Sequence, residues 1–290
     1  MRNKILLALA ATLAALVVGI VLSFTTFKTT PLFDSVAGQW GILVASIAGL
    51  VLGAARGLLK KKNAIEGDVV TRHGVGSFIS HWTTAVGIFA AIYSGVMLGF
   101  FIMNGKSLWV IPVFSQTLQQ VIPQLNVHYF AVILTLFGSL FFVADYIATR
   151  DWSLLIPNLR DVIHGFIGKY FLRRKWDNED KYLSSQKSAA IPYLLVGLVI
   201  LITGAVKTLA HVEWLPGTGI SASAWGWATV FHDVFTVLIV LYTIVHVGLV
   251  VLLGHWPSLI SWFTGTMPKE TVEHHHPVWY EKLTTGKNKS

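Results

Sequence analysis

The chain has 290 residues, 54% of them apolar and only 12% charged, with a mean hydropathy of +0.63 and a formal charge of +8. So little charge cannot cover a water-soluble domain of this length, which excludes the ordinary soluble classes. The basic residues gather at the ends of apolar runs, a membrane pattern rather than a nucleic-acid surface, and the absence of cysteine excludes thioether-linked cofactors, thiolate metal sites and disulfides.

Six apolar runs are long enough to cross a bilayer core, near Ile5–Phe24, Trp40–Leu59, Phe78–Met103, Val127–Ala148, Ala189–Lys207 and Ala228–Gly254. They predict an all-α, polytopic membrane bundle of about six transmembrane helices. The first run follows a basic Met1–Lys4 and has some features of a signal peptide, but its length favours a retained helix. Arg2, Arg56, Arg72, Arg150, Arg160, Arg173 and Arg174 fall on one side of the predicted membrane, with Lys60, Lys61, Lys62, Lys169, Lys175, Lys181 and Lys187. The opposite side has Lys28, Lys106 and Lys207. Basic loops stay in the cytoplasm, so both termini are expected there and the protein in a bacterial inner membrane.

Between the fourth and fifth runs, Leu159, Val162, Ile163, Phe166 and Ile167 recur at helical spacing among charges, an amphipathic helix for the inner surface. Opposite loops carry Trp109, Pro112, Pro123, Trp214, Pro216, Trp225 and Trp227, which suit an interface belt or a docked partner. The expected division is 1–74 as a two-helix N-terminal extension, 75–256 as a four-helix core with an inner loop at 149–187, and 257–290 as an inner tail.

Ionisable residues inside a membrane are costly and therefore candidates for function. Four histidines lie within the runs: His81, His128, His232 and His246. His232 and His246 are fourteen residues apart on one run. That is about 21 Å of helix, with the two side chains within roughly 40° of one face. His128 matches His232 in depth near the outer surface, and His81 matches His246 near the inner one. Paired imidazoles on facing helices are the axial ligands that a six-coordinate haem b needs, so two haems are expected at two depths. Both axial positions would then be filled, which favours electron transfer over catalysis. Gly95, Gly99, Gly138 and Gly248 offer places where a flat ring approaches the backbone.

The remaining polar groups have plainer readings. His73 and His164 read as solvated or interfacial, His255 as near lipid headgroups, and His211 as just beyond the fifth run. His274–His276 is a poor metal tract, and Asp145 either serves proton uptake or simply reaches the interface.

The residues also resemble a known family, the cytochrome b (gamma) subunit of membrane-bound formate dehydrogenases. The resemblance is carried by Ser80-His81-Trp82 with Tyr93-Ser94-Gly95, His128, Lys181-Tyr182 with Gln186-Lys187, Ile202-Thr203-Gly204, the spacing of His232 and His246, and the run Glu273 to Glu281. It spans about Val75 to Leu283, and the paired histidines are shared with cytochrome b subunits of nickel–iron hydrogenases. The resemblance implies His128 and His232 on an outer haem and His81 and His246 on an inner one. It implies an iron–sulfur subunit and a molybdenum or tungsten pterin subunit on the periplasmic side. It further implies a menaquinone or other quinone acceptor on the inner side, near Tyr182, Ser185, Gln186 and His246. The family's Lys-Tyr-Asn-x-Gly-Gln-Lys loop is altered here. Leu183 replaces the asparagine and cannot make its hydrogen bond, and Ser185 replaces the glycine. The rival readings are a hydrogenase or sulfur-compound reductase subunit, a proton-coupled transporter without haem, and a membrane anchor with no redox role.

Overall fold

The computed structural model describes residues 2–59, 64–104, 118–209, 219–252 and 255–285. Lys60, Lys61, Lys62, Lys106, Trp109, Pro112, His211, Trp214 and Pro216 lie outside them. Among the described residues, six helices are long and apolar enough to span a membrane. They are α1 Arg2–Phe24, α2 Val36–Leu58, α3 Val75–Asn104, α4 Leu118–Thr149, α5 Ser184–Leu209 and α6 Ala222–Leu252. The end of the bundle carrying both termini is called proximal below, and the other end distal.

All six helices begin earlier than their apolar runs, α4 by the most. α4 starts at Leu118, so His128 is ten residues in rather than in the first turn. The polar Gln119, Gln120, Gln124 and Asn126 and the internal Pro123 dilute the apolar signal there. Asn126 is fully buried, and its amide serves the α1–α2 connection. It donates to the carbonyls of Phe27 and Thr30 and accepts from the Leu32 N–H at 2.7 Å.

α4 is the central helix and packs along both α2 and α3, while α5 pairs with α6 and α1 lies against α3 and α4. The N-terminal pair is thus part of the bundle, not an appendage. Its seam with α4 is made by glycines one turn apart. A Cβ at Gly49 would stand 2.5 Å from the Phe137 carbonyl oxygen, and one at Gly53 would collide with that of Phe141. Such close approach is how helices gain contact in lipid, where no hydrophobic drive separates helix from solvent. Gly53→Ala should therefore lower stability by about 1–3 kcal/mol, the usual cost of overpacking, read as a lower midpoint in detergent unfolding.

An ion pair closes the same seam. Nη1 of Arg56 on α2 lies 2.8 Å from both carboxylate oxygens of Asp145 on α4, whose side chain is 3% exposed. Gly74 and Gly76 lie directly against the Arg56 side chain. Asp145 is thus held in an ion pair and not free at the interface.

The proximal end is capped by folded chain. β1 Ile65–Glu66, β2 Val69–Thr71 and β3 Thr266–Pro268 form an antiparallel sheet in that order. α7 Trp256–Thr264, α8 Lys269–His275 and α9 Pro277–Thr285 complete the cap, so the segment read from sequence as a tail is ordered through Thr285. Its small core is Val70, Met267, Val272 and Trp279. The cap grips the loop before α5. The Val278 N–H donates to the Glu179 carbonyl, His276 Nδ1–H donates to the Asp180 carbonyl at 2.6 Å, and Lys282 pairs with the Asp180 carboxylate.

Burial, reinforced by the charge of Arg72, pushes the His276 imidazole down to about 3, so it is neutral when folded. As pH falls from about 6.5 towards about 3, the unfolded chain binds a proton that the folded one does not. The cap should weaken across that window, by at most about 1.4 kcal/mol per pH unit. Amide protection factors across residues 266–285, with the intrinsic pH dependence of exchange divided out, should fall between pH 7 and pH 5 in the native chain, and much less so in His276→Asn.

The amphipathic segment is present as a π-helix, Asp161–Phe171. Leu159, Ile163, Ile167 and Phe171 leave an apolar edge uncovered, as expected of a helix lying in a membrane surface. His164 is exposed and stacks on Trp176.

Candidate functional site

His128 and His232 face each other near the distal end. Each is ten residues past the start of its helix, α4 or α6. Their ring centroids are 6.4 Å apart, with the planes at 75°. Hydrogen bonds fix the proton on each ring. The Ser94 hydroxyl donates to the Ala90 carbonyl at 2.6 Å, which leaves its oxygen to accept from His128 Nδ1–H at 3.0 Å. The Ala91 carbonyl, 3.1 Å from the same nitrogen, can only accept. Thr203 repeats the device on α5, donating to the Val199 carbonyl at 2.7 Å and accepting from His232 Nδ1–H at 3.0 Å. In the neutral ring, each imidazole so held leaves Nε2 as the nitrogen with a lone pair.

The residue after each hydroxyl is glycine, for a steric reason. A Cβ at Gly95 would stand 3.2 Å from His128 Cε1, and one at Gly204 would stand 3.3 Å from His232 Cε1. Ser94-Gly95 and Thr203-Gly204 are one two-residue cradle used twice. Gly138 instead seats α4 against Thr84 of α3, and Gly248 faces open space. The cradle was visible in the sequence as a hydroxyl–glycine pair on two successive odd-numbered spans, a signal that says nothing by itself of which histidine it holds.

The proximal pair is built differently. His81 is six residues into α3 and His246 six residues from the end of α6, within electrostatic reach of each other. His81 stacks on Trp262 of α7 with centroids 4.0 Å apart and planes at 20°. His73 stacks on the same indole at 3.9 Å and 19°. Two rings at that spacing cannot share one face, so Trp262 is sandwiched. His73, expected at a solvated surface, is 1% exposed because α7 folds back over it. Trp262 is held in turn by Trp82, whose Nε1–H donates to its carbonyl at 3.0 Å. The His246 ring lies 6.3 Å from that of Tyr193.

The loop residues read as an acceptor side are engaged with the protein. Tyr182 and Tyr146 share a hydrogen bond of 2.6 Å between their hydroxyls, and burial raises the Tyr182 phenol. Ser185 donates to the Tyr170 hydroxyl, which is 3.4 Å from His255 Nε2. Gln186 Oε1 accepts the Leu183 N–H, half of a capping box at the start of α5. Leu183 is 3% exposed, packed where a polar side chain would need a partner. Lys187, counted from sequence among the basic loop residues, is buried against Asp161. Arg72 is also buried; its guanidinium donates to Ser258 Oγ and the Lys181 carbonyl, and desolvation lowers it to about 10, still charged at neutral pH.

Two imidazoles held through Nδ1, with Nε2 left to bind a metal, suit a six-coordinate iron porphyrin. Metal–imidazole bonds of about 2 Å place such ring centroids roughly 6 Å apart. The distal pair meets that spacing as it stands. Residues 72–265 match the family described as prokaryotic cytochrome b561, about two thirds of the chain, and they include all four histidines. The chain belongs to that family. As a prokaryotic cytochrome b561 it is a multi-pass membrane protein of electron transfer, and haem b is the cofactor the family binds. A haem-free transporter is thereby set aside. No curated protein matches the chain. α1, α2 and the cap beyond Gly265 lie outside the matched stretch of the cytochrome b561 family.

Proposed function

We propose that the chain is the dihaem membrane subunit of a respiratory oxidoreductase of formate dehydrogenase type. His128 and His232 would hold the distal haem, and His81 and His246 the proximal one. Haem supplies a one-electron carrier with both axial positions filled. The protein contributes the tautomer, the ring orientation and an apolar wall. The observation that carries this reading is the distal pair, 6.4 Å apart with both Nδ1 protons tied down.

The distal end faces the periplasm in this proposal, where an iron–sulfur subunit and a molybdenum or tungsten pterin subunit would dock. Both termini and the cap are then cytoplasmic, in an inner membrane. Electrons leave at the proximal end to a quinone-type acceptor, with Tyr182, Ser185 and His246 as the groups proposed to face it. Gln186 is already committed to capping α5, so its expected quinone role is the weakest part of the set.

The test is to isolate the chain with its bound partners, count haem per chain from a reduced-minus-oxidised spectrum, and supply formate or hydrogen as donor. Two haems reduced by formate support the reading. Two haems reduced only by hydrogen reassign the partner to a hydrogenase, the second reading that membership of the broader family favours. A colourless chain overturns both. The chain lacks cysteine, so single introduced thiols at Ser35 and Thr285 report the orientation without background labelling.

A further inference from the structure

The two histidine levels differ in how their imidazoles are held. At the distal level each Nδ1–H meets a fixed acceptor, Ser94 with Ala91 for His128 and Thr203 for His232. At the proximal level His81 Nδ1 is buried with no hydrogen-bond partner among the described residues. Its ring is held by its face, flat against Trp262, which His73 braces from behind. Hydrogen bonding to the remote N–H of an imidazole makes the metal-bound nitrogen more basic. A more basic ligand favours ferric over ferrous iron and lowers the reduction potential.

We propose that this difference sets the two haems apart in potential, the distal one lower, and that Trp262 is the positioning residue for the proximal ligand His81. The inference rests on the dihaem reading above. It goes beyond that reading by giving an order of potentials and a structural cause for each. The order makes transfer from the distal to the proximal level downhill. Trp262 sits on α7, after the last span, so the ring plane of a ligand on α3 is fixed by a segment that also carries the cap strand β3. A stacked indole restrains rotation about the ring plane while leaving the ring nitrogens alone. A hydrogen bond would instead change their basicity.

The test uses the purified full-length chain with its haems, followed by spectroelectrochemical titration and by electron paramagnetic resonance of the low-spin ferric signals. The native protein should titrate in two steps. Removing both distal hydroxyls, with Ser94→Ala and Thr203→Val together, should raise the lower step by up to about tenfold in the one-electron equilibrium, about 59 mV, the Ala91 carbonyl still accepting from His128 Nδ1–H, and leave the upper step in place. Trp262→Leu should shift the ferric signal and the step belonging to the upper haem. Trp262→Phe, which keeps a flat face against His81, should restore most of the native signal and serves alone if the leucine variant does not fold.

The inference is overturned if the hydroxyl double variant moves the upper step or neither. It is equally overturned if the Trp262 variants leave both potentials and both ferric signals unchanged. Haem counts separate this from failure of the underlying reading. A native chain with fewer than two haems sinks the dihaem proposal itself, whereas two retained haems with unmoved potentials sink only the assignment of their tuning.

Discussion

On the dihaem proposal, replacing His128 with Ala should leave the purified chain with a single haem instead of two, and electron transfer through the chain should stop. The opposing His232 would keep its Thr203 contact but face a methyl group where the imidazole stood 6.4 Å away. A six-coordinate site would then have one ligand, and its low-spin ferric signal should vanish while the proximal one persists. His232→Ala should give the same loss. The controls are His164→Ala and His255→Ala. His164 is exposed on the surface π-helix and His255 touches Tyr170 beyond the end of α6, so neither should change haem content. Haem-to-protein ratio decides the outcome. A His128→Ala chain that retained two haems would remove the distal pair from consideration.

The second large effect concerns stability rather than colour. Arg56 and Asp145 form a close ion pair between α2 and α4, with the carboxylate almost wholly enclosed. Removing one partner leaves the other uncompensated in a low-dielectric seam, at a cost of about 3–5 kcal/mol. Asp145→Asn or Arg56→Met should sharply lower the yield of folded protein in detergent and its unfolding midpoint. Combining Arg56→Met with Asp145→Leu removes both charges and should recover most of the loss, because the desolvation of each ion is then no longer required. If the double variant is no better than the singles, the pair does not couple the two helices.

Much of the bundle was legible because membrane chemistry leaves coarse marks. Long apolar runs announce α1 to α6, and histidines inside them stand out against the cost of burying polarity. The fourteen-residue interval between His232 and His246 placed both depths on one helix. Other features are written in contacts between distant residues, which periodicity does not encode. Nothing near Arg56 names Asp145 as its partner, 89 positions away. The glycines at 49, 53 and 57 carry a readable signal, a small residue at every fourth position, which marks a packing seam without naming the helix that fills it. Pro123 and its polar neighbours hid the first turns of α4. The strands are two or three residues long, too short to show alternation, and β2 pairs with β3 across about two thirds of the chain. His73 looked exposed because the residue that covers it, Trp262, is so far along the sequence. The capping role of Gln186 was hidden behind its place in a recognisable motif.

The pairing of β2 with β3 has a consequence for how the molecule is assembled. Val69 to Thr71 emerge from synthesis well before Thr266 to Pro268, with four membrane crossings made between them. Until the final segment arrives, Arg72 lacks Ser258, the indole above His73 is missing, and the loop at 179–187 lacks the bond from His276 to Asp180. Closure of the proximal end thus waits for the final segment to be made, and it can act as a checkpoint. A nascent chain stalled before residue 256 would expose a strand edge and a solvated guanidinium, features that quality-control proteases can recognise, whereas a finished chain conceals both.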